Sequence, residues 1–154
     1  MKILSYILSP IFAFVFFLLL IIFHPLQWIG LNVFGYKGHK LAVDVMNWVL
    51  VKSLLVLAIR VKVENEHELP LNTTLVFVSN HQGIFDIPPI ISSFKKHHPK
   101  FVSKIELGKG IPSISYNLRK GGAALIDRKD GKQSITTLVD FAKNINKNKW
   151  SAVI

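Results

Sequence analysis

From Ile3 to Phe23 the chain carries no charge and is dense in Phe, Leu and Ile. Wound as a helix, those residues extend about 31 Å at roughly 1.5 Å per residue, against a bilayer hydrocarbon core about 30 Å thick. The pattern predicts a retained membrane helix. Pro10 is expected to kink it, which a membrane helix tolerates, and Trp28 and Tyr36 follow where interfacial aromatics belong. A cleaved signal peptide fits less well, because His24-Pro25-Leu26-Gln27-Trp28 offers no small-residue cleavage site. A second apolar stretch, Leu41 to Val61, is interrupted by Asp44, Asn47, Lys52 and Arg60. It is expected either to fold back on the first as a helical hairpin or to lie in the membrane interface.

Beyond residue 58 the periodicity changes. Ile59-Arg60-Val61-Lys62-Val63-Glu64 alternates apolar and charged, the period of a half-buried strand. Leu75-Val76-Phe77-Val78 reads as a central strand, Lys100 to Ser103 as another, and Ala123 to Ile126 as a fourth. Between Lys132 and Lys149 the apolar positions Ile135, Leu138, Val139, Ala142 and Ile145 recur at helical spacing and predict an inward face. Trp150 to Ile154 begins a further strand. Strand and helix in alternation predict an α/β layered domain over residues 59–154, preceded by a membrane-anchoring helical region over residues 1–58.

Composition narrows the function. The 154 residues are 50% hydrophobic and 18% charged, with no cysteine, and the mean hydropathy is +0.37. That composition excludes a disordered chain, a disulfide scaffold, a thiolate metal site and a cysteine nucleophile. The net charge of +10 is concentrated late, with +9 of it in residues 95–154. A polyanionic partner follows, and beside an apolar anchor the fitting one is an anionic lipid surface rather than nucleic acid. The same excess of Lys and Arg after the anchor predicts a cytoplasmic membrane location with the main domain on the cytoplasmic side. His97 and His98 are adjacent, fit no metal-ligand spacing and are expected to be exposed loop residues; no metal site is expected. The G-x-S-x-G elbow of a serine hydrolase is missing.

Candidate chemistry sits in Asn80-His81-Gln82-Gly83-Ile84-Phe85-Asp86, directly after the apolar run at 75–78. A histidine at a strand end faces a cleft, and Gly83 eases a turn that returns Asp86 toward it. A carboxylate beside the imidazole fixes its tautomer and stabilises the imidazolium formed when the other ring nitrogen takes a proton. The plainer alternative is a histidine bonded to its own loop, with Asp86 capping the helix that follows.

Three blocks in order favour the first of these. Asn80, His81 and Asp86 match an N-H-x-x-x-x-D motif. Lys104-Ile105-Glu106-Leu107 with Ile111-Pro112 matches K-x-E-L with a downstream proline, and Gly122 to Arg128 matches G-x-x-x-I-D-R. Across roughly residues 60–154 the chain resembles the glycerolipid acyltransferase family, whose bacterial membrane members convert lysophosphatidate to phosphatidate. The resemblance implies an acyltransferase-type sheet domain and an O-acyltransferase of phospholipid synthesis. His81 would be the general base on the acceptor hydroxyl, Asp86 its orienting partner, and Asn80, Lys104 and Arg128 substrate-binding residues. Lys104 and Arg128 would hold the acceptor phosphate, for which an arginine fork is well shaped. No cofactor is implied beyond acyl-CoA or acyl-carrier protein as co-substrate. The partners are that thioester, lysophosphatidate and anionic membrane lipid.

The family's E-G-T-R block is not found, and Trp150 to Ile154 resembles the strand that leads into it. The resemblance therefore implies a member truncated before that block. The competing expectation is a truncated, non-catalytic membrane protein that binds anionic lipid through its basic domain.

Overall fold

The computed structural model of the chain describes residues 2–80 and 82–154. It is a mixed α/β structure with a long apolar N-terminal helix and a parallel sheet. Helix α1 (Lys2–Ser53) holds helical geometry through Pro10 and Pro25 and leaves it at Gly35 (φ 66°, ψ −158°). The break folds α1 into two arms, 2–34 and 36–53. Phe12, Phe16 and Leu20 of the first arm pack against Met46, Leu50 and Leu54 in one buried cluster. Each such side chain contributes roughly 1.5–3 kcal/mol when fully buried. Gln27, fully buried between the arms, donates from Nε2 to the Met46 sulfur at 3.2 Å. Of the two arrangements expected for the second apolar stretch, the hairpin is the one present.

The α/β part contains β1 (Val76–Phe77), α2 (Ile87–Ser93), β2 (Pro99–Lys104), α3 (Ile114–Lys120), β3 (Ala124–Ile126), α4 (Gly131–Asn148) and β4 (Ser151–Val153). The sheet runs β1-β4-β2-β3, with every pairing parallel. Parallel neighbours need crossover connections, and α2, α3 and α4 supply them. Residues of β2 alternate between two faces. Phe101 and Ser103 line a cavity against the hairpin, whereas Val102 packs with Ala124, Phe141, Ile145 and Ala152 under α4.

Four expectations need correction. Residues 59–64 form no strand; the alternation holds, but no neighbouring strand takes up their backbone, and Ile59, Val61 and Val63 are exposed. β1 is short and lies at the sheet edge rather than its centre. Val76 is 61% and Val78 83% exposed, and the late strand β4 takes the inner position. In α4 the buried apolar residues are Phe141 and Ile145, while Ile135, Leu138 and Val139 face outward. The amide of Gln133 sets that rotation: it donates to Leu125 O and Thr137 Oγ1, both at 3.0 Å, and accepts from Asp127 N at 2.9 Å. His97 and His98 are not exposed either. His97 is 3% accessible, with its ring edge-on to Phe77 at 6.0 Å, and His98 is covered by the hairpin.

The hairpin lies along the α/β part over most of its length. Phe12 and Phe16 meet the Phe85 ring edge-on at 5.1 and 4.9 Å. Further along, Ser113 donates through Oγ to Leu20 O at 2.6 Å and through its backbone N–H to His24 Nδ1 at 3.0 Å. At the tip, Tyr36 stacks on Trp150 at 5.2 Å. These contacts hold one side of both arms against the sheet domain. The opposite side leaves Phe14, Phe17, Ile21, Trp28 and Phe34 exposed.

Candidate active site

All four strands point the same way, so their carboxyl ends form one edge, where ligand sites of open α/β sheets gather. The segment 78–86 leaves β1 there, Lys104 ends β2, and Asp127 and Arg128 follow β3. With neighbouring strands roughly 4.8 Å apart, β1 and β2 are separated by about 10 Å with β4 between them, and β3 lies one strand further.

His81 lies outside the described residues. Asn80 is exposed on the loop before it. Asp86 is half-buried. Its Oδ2 accepts two backbone hydrogen bonds, from Gln82 at 2.7 Å and from Gly83 at 2.8 Å, while its own N–H donates to Gly83 O at 3.1 Å. The carboxylate therefore folds the loop back on itself between Gln82 and Asp86. Phe85 anchors the same loop by packing edge-on against Phe12 and Phe16.

Lys104 and Arg128 are both exposed, at the ends of adjacent strands; Lys104 pairs in register with Ile126, two residues before Arg128. The two acids nearest Arg128 are committed elsewhere. Asp127 Oδ1 accepts from Lys129 N at 2.9 Å, and Asp130 Oδ1 caps α4 by accepting from Gln133 N at 3.0 Å. Among the described residues Arg128 makes no ion pair, so its planar fork remains open to a ligand at the edge. Gly122, at the head of the same block, has φ +91°, and a Cβ there would lie 2.6 Å from the Trp150 ring. Backbone conformation and close packing both demand glycine at that position.

One feature of the site was not visible in the sequence. Between hairpin and sheet lies a cavity of about 270 Å³. Phe16, Leu20, Met46 and Leu50 wall it on the hairpin side, and Ile84 and Ile87 bring it to the loop that carries Asp86. The signal available was the pair Ile84-Phe85 inside the motif: two large apolar residues in an otherwise polar loop, one directed to the cavity and one to the hairpin. No group of three His, Cys, Asp or Glu side chains with metal-binding geometry occurs among the described residues.

A family model described as Acyltransferase matches residues 60–154. No curated protein and no solved structure matches the chain.

Proposed function

Because the chain belongs to the acyltransferase family, we propose that it carries an acyl group from acyl-CoA or acyl-carrier protein to the free hydroxyl of 1-acyl-glycerol-3-phosphate, giving phosphatidate. The acceptor oxygen attacks the thioester carbonyl as His81 takes its proton, and collapse of the tetrahedral adduct expels the thiolate, which His81 reprotonates. Asp86 holds the imidazole in the tautomer that can accept. Asn80, Lys104 and Arg128 bind the acceptor, with the two cations on its phosphate.

The observation that carries this reading is the apolar cavity that reaches the Asp86 loop. A single acyl chain is the ligand its shape and lining suit, since such pockets take most of their binding energy from apolar burial. Lys104 and Arg128, exposed on the same sheet edge, support an anionic headgroup outside the cavity mouth.

The hairpin supports membrane association. α1 is long and apolar enough to cross a bilayer by length and composition. Its contacts with the sheet domain from Phe12 to Tyr36 favour an arrangement in which the free apolar side beds into the leaflet and keeps the domain at the surface. Thirteen Lys and Arg after residue 94 draw the domain to the anionic cytoplasmic face of the membrane.

The test is transfer of a radiolabelled acyl group to lysophosphatidate by the wild type and by His81→Ala. A wild-type rate that the substitution abolishes supports the reading, and equal rates in the two proteins remove the histidine mechanism.

A further inference from the structure

At the amino end of the sheet, away from Asp86 and Lys104, the hairpin tip closes over a second and chemically different pocket of about 40 Å³. The hairpin contributes Tyr36, His39, Lys40 and Asp44, and the start of β2 contributes His98 and Lys100. Lys100 is the centre of it. Its Nζ donates to Tyr36 Oη at 2.9 Å and sits 4.6 Å from the centre of the Trp150 ring and 5.2 Å from that of Tyr36. Lys40 pairs with Asp44 one turn along the helix.

The charges in this pocket do not balance. Two lysines face one carboxylate, and that carboxylate is already engaged by Lys40. Two imidazoles add unsatisfied polar atoms: His39, 1% exposed, has no hydrogen-bond partner for Nε2 among the described residues, and neither has His98 for Nδ1. Buried polar groups are almost always paired, and each exception calls for an explanation. Burial, reinforced by Lys40 and opposed by Asp44, drags Lys100 down to about 8.

We propose that this pocket is a binding site for a compact monovalent anion, a halide or a one- to two-carbon carboxylate, which bridges Lys40 of the hairpin to Lys100 of the sheet. A single negative charge neutralises the excess that Lys40 and Lys100 leave against Asp44. The size of the pocket sets the class of ligand. A water needs roughly 10–15 Å³ of such space, so the site takes an ion of a few heavy atoms and no lipid headgroup. Bound there, the ion ties the hairpin tip to the domain beside the apolar cavity, with which the pocket shares Ile91, Phe101, Asn117 and Leu118.

The experiment measures chloride-35 line broadening on the full chain in non-ionic detergent at pH 7 and constant ionic strength. Formate, acetate and gluconate serve as competitors. Saturable broadening that formate or acetate displaces and bulky gluconate does not is the expected result, and the tighter of chloride and carboxylate identifies the source. Lys100→Gln should abolish it, and Lys40→Gln, which removes the second cation, should weaken it about tenfold, the scale of one lost charge-assisted bond. Lys132→Gln, on the exposed surface of α4, should leave it intact. No saturable broadening in the wild type overturns the proposal, whatever the variants do. Displacement by gluconate as effective as by formate, or full broadening in a folded Lys100→Gln, also overturns it.

Discussion

Gly30 and Gly38 pass backbone to backbone where the two arms of α1 converge. A Cβ on Gly30 would lie 2.8 Å from Gly38 O, and one on Gly38 would lie 2.5 Å from Gly30 O and from Phe34 Cβ. The break at Gly35 reverses the chain, and this glycine pair lets the arms close immediately beside it. Both cavities depend on that closure, because each has one wall from the hairpin and one from the sheet domain.

Gly38→Ala should therefore loosen the tip. The clash is with backbone, which has little room to yield, so a cost of about 1–3 kcal/mol is expected, the usual range for overpacking. That lowers the thermal midpoint by roughly 2–4 °C per kcal/mol in a chain of this size. Gly131→Ala at the start of α4 is the control, since a Cβ there meets no atom within 4 Å. Equal midpoints for the two variants in detergent would show that the tip does not need the glycine pair.

Docking of the tip should weaken in acid. His98 is lowered from its ordinary value to about 4, chiefly by burial, then by Lys40, Lys100 and His97, with Asp44 acting the other way. Between pH 6.5 and 4 the unfolded chain binds a proton that the folded one refuses, so stability falls as pH drops through that window. Lys100 follows the same sign at higher pH: stability rises as pH climbs from about 8 toward 10.5. His98→Gln should flatten the acid limb alone, as read from thermal midpoints at pH 4.5 and 7. A wild-type curve with no greater acid loss than the variant's would refute the assignment.

The elements that were legible in sequence are those whose own residues decide them. β2, β3, β4 and α4 fall within a residue or two of the apolar runs that predict them. The errors arise where a distant segment decides. The inward side of α4 was misread because its apolar stripe at Ile135, Leu138 and Val139 lies outside, while the polar Gln133 bonds back to β3. His97-His98 looks like an exposed loop until Phe77 of β1 packs on His97 and the hairpin, some sixty residues earlier, covers His98. The hydropathy of 41–61 is broken by Asp44 and Lys52, yet Asp44 is neutralised by Lys40 one turn before it, and the helix continues through both. At the sheet edge, chain order puts Asn80, Asp86 and Arg128 after strands and Lys104 at the end of one. The apolar cavity was not legible, because its two walls come from segments far apart in sequence.

Filling that cavity should shorten the preferred acyl chain. Leu50 and Met46 wall it from the second arm. Leu50→Phe removes room for about two methylenes, each worth about 0.8 kcal/mol of burial. The rate with the longest donor accepted should fall roughly ten- to twentyfold while shorter donors are spared. Rates across a series of acyl thioesters of increasing length check this. A uniform loss at every length would point instead to general damage and against a chain-binding cavity.

For Asp86, the loop-closing bonds and the role proposed for it beside His81 can be separated by substitution. Its carboxylate closes the loop by accepting from the N–H groups of Gln82 and Gly83, and in the proposed mechanism it also orients His81 and stabilises the imidazolium. Asp86→Asn keeps an oxygen for the two backbone donors but removes the negative charge. Asp86→Ala removes both. The asparagine variant should hold its thermal midpoint near wild type while its acyl-transfer rate falls about 10²–10⁴-fold, the range for a general base deprived of its partner. The alanine variant should lose the rate and also some stability, about 1–3 kcal/mol for two backbone donors left without their acceptor. If the asparagine variant retained most of its activity, the carboxylate would be a loop-closing device alone, and the deprotonation assigned to His81 would have to proceed without it.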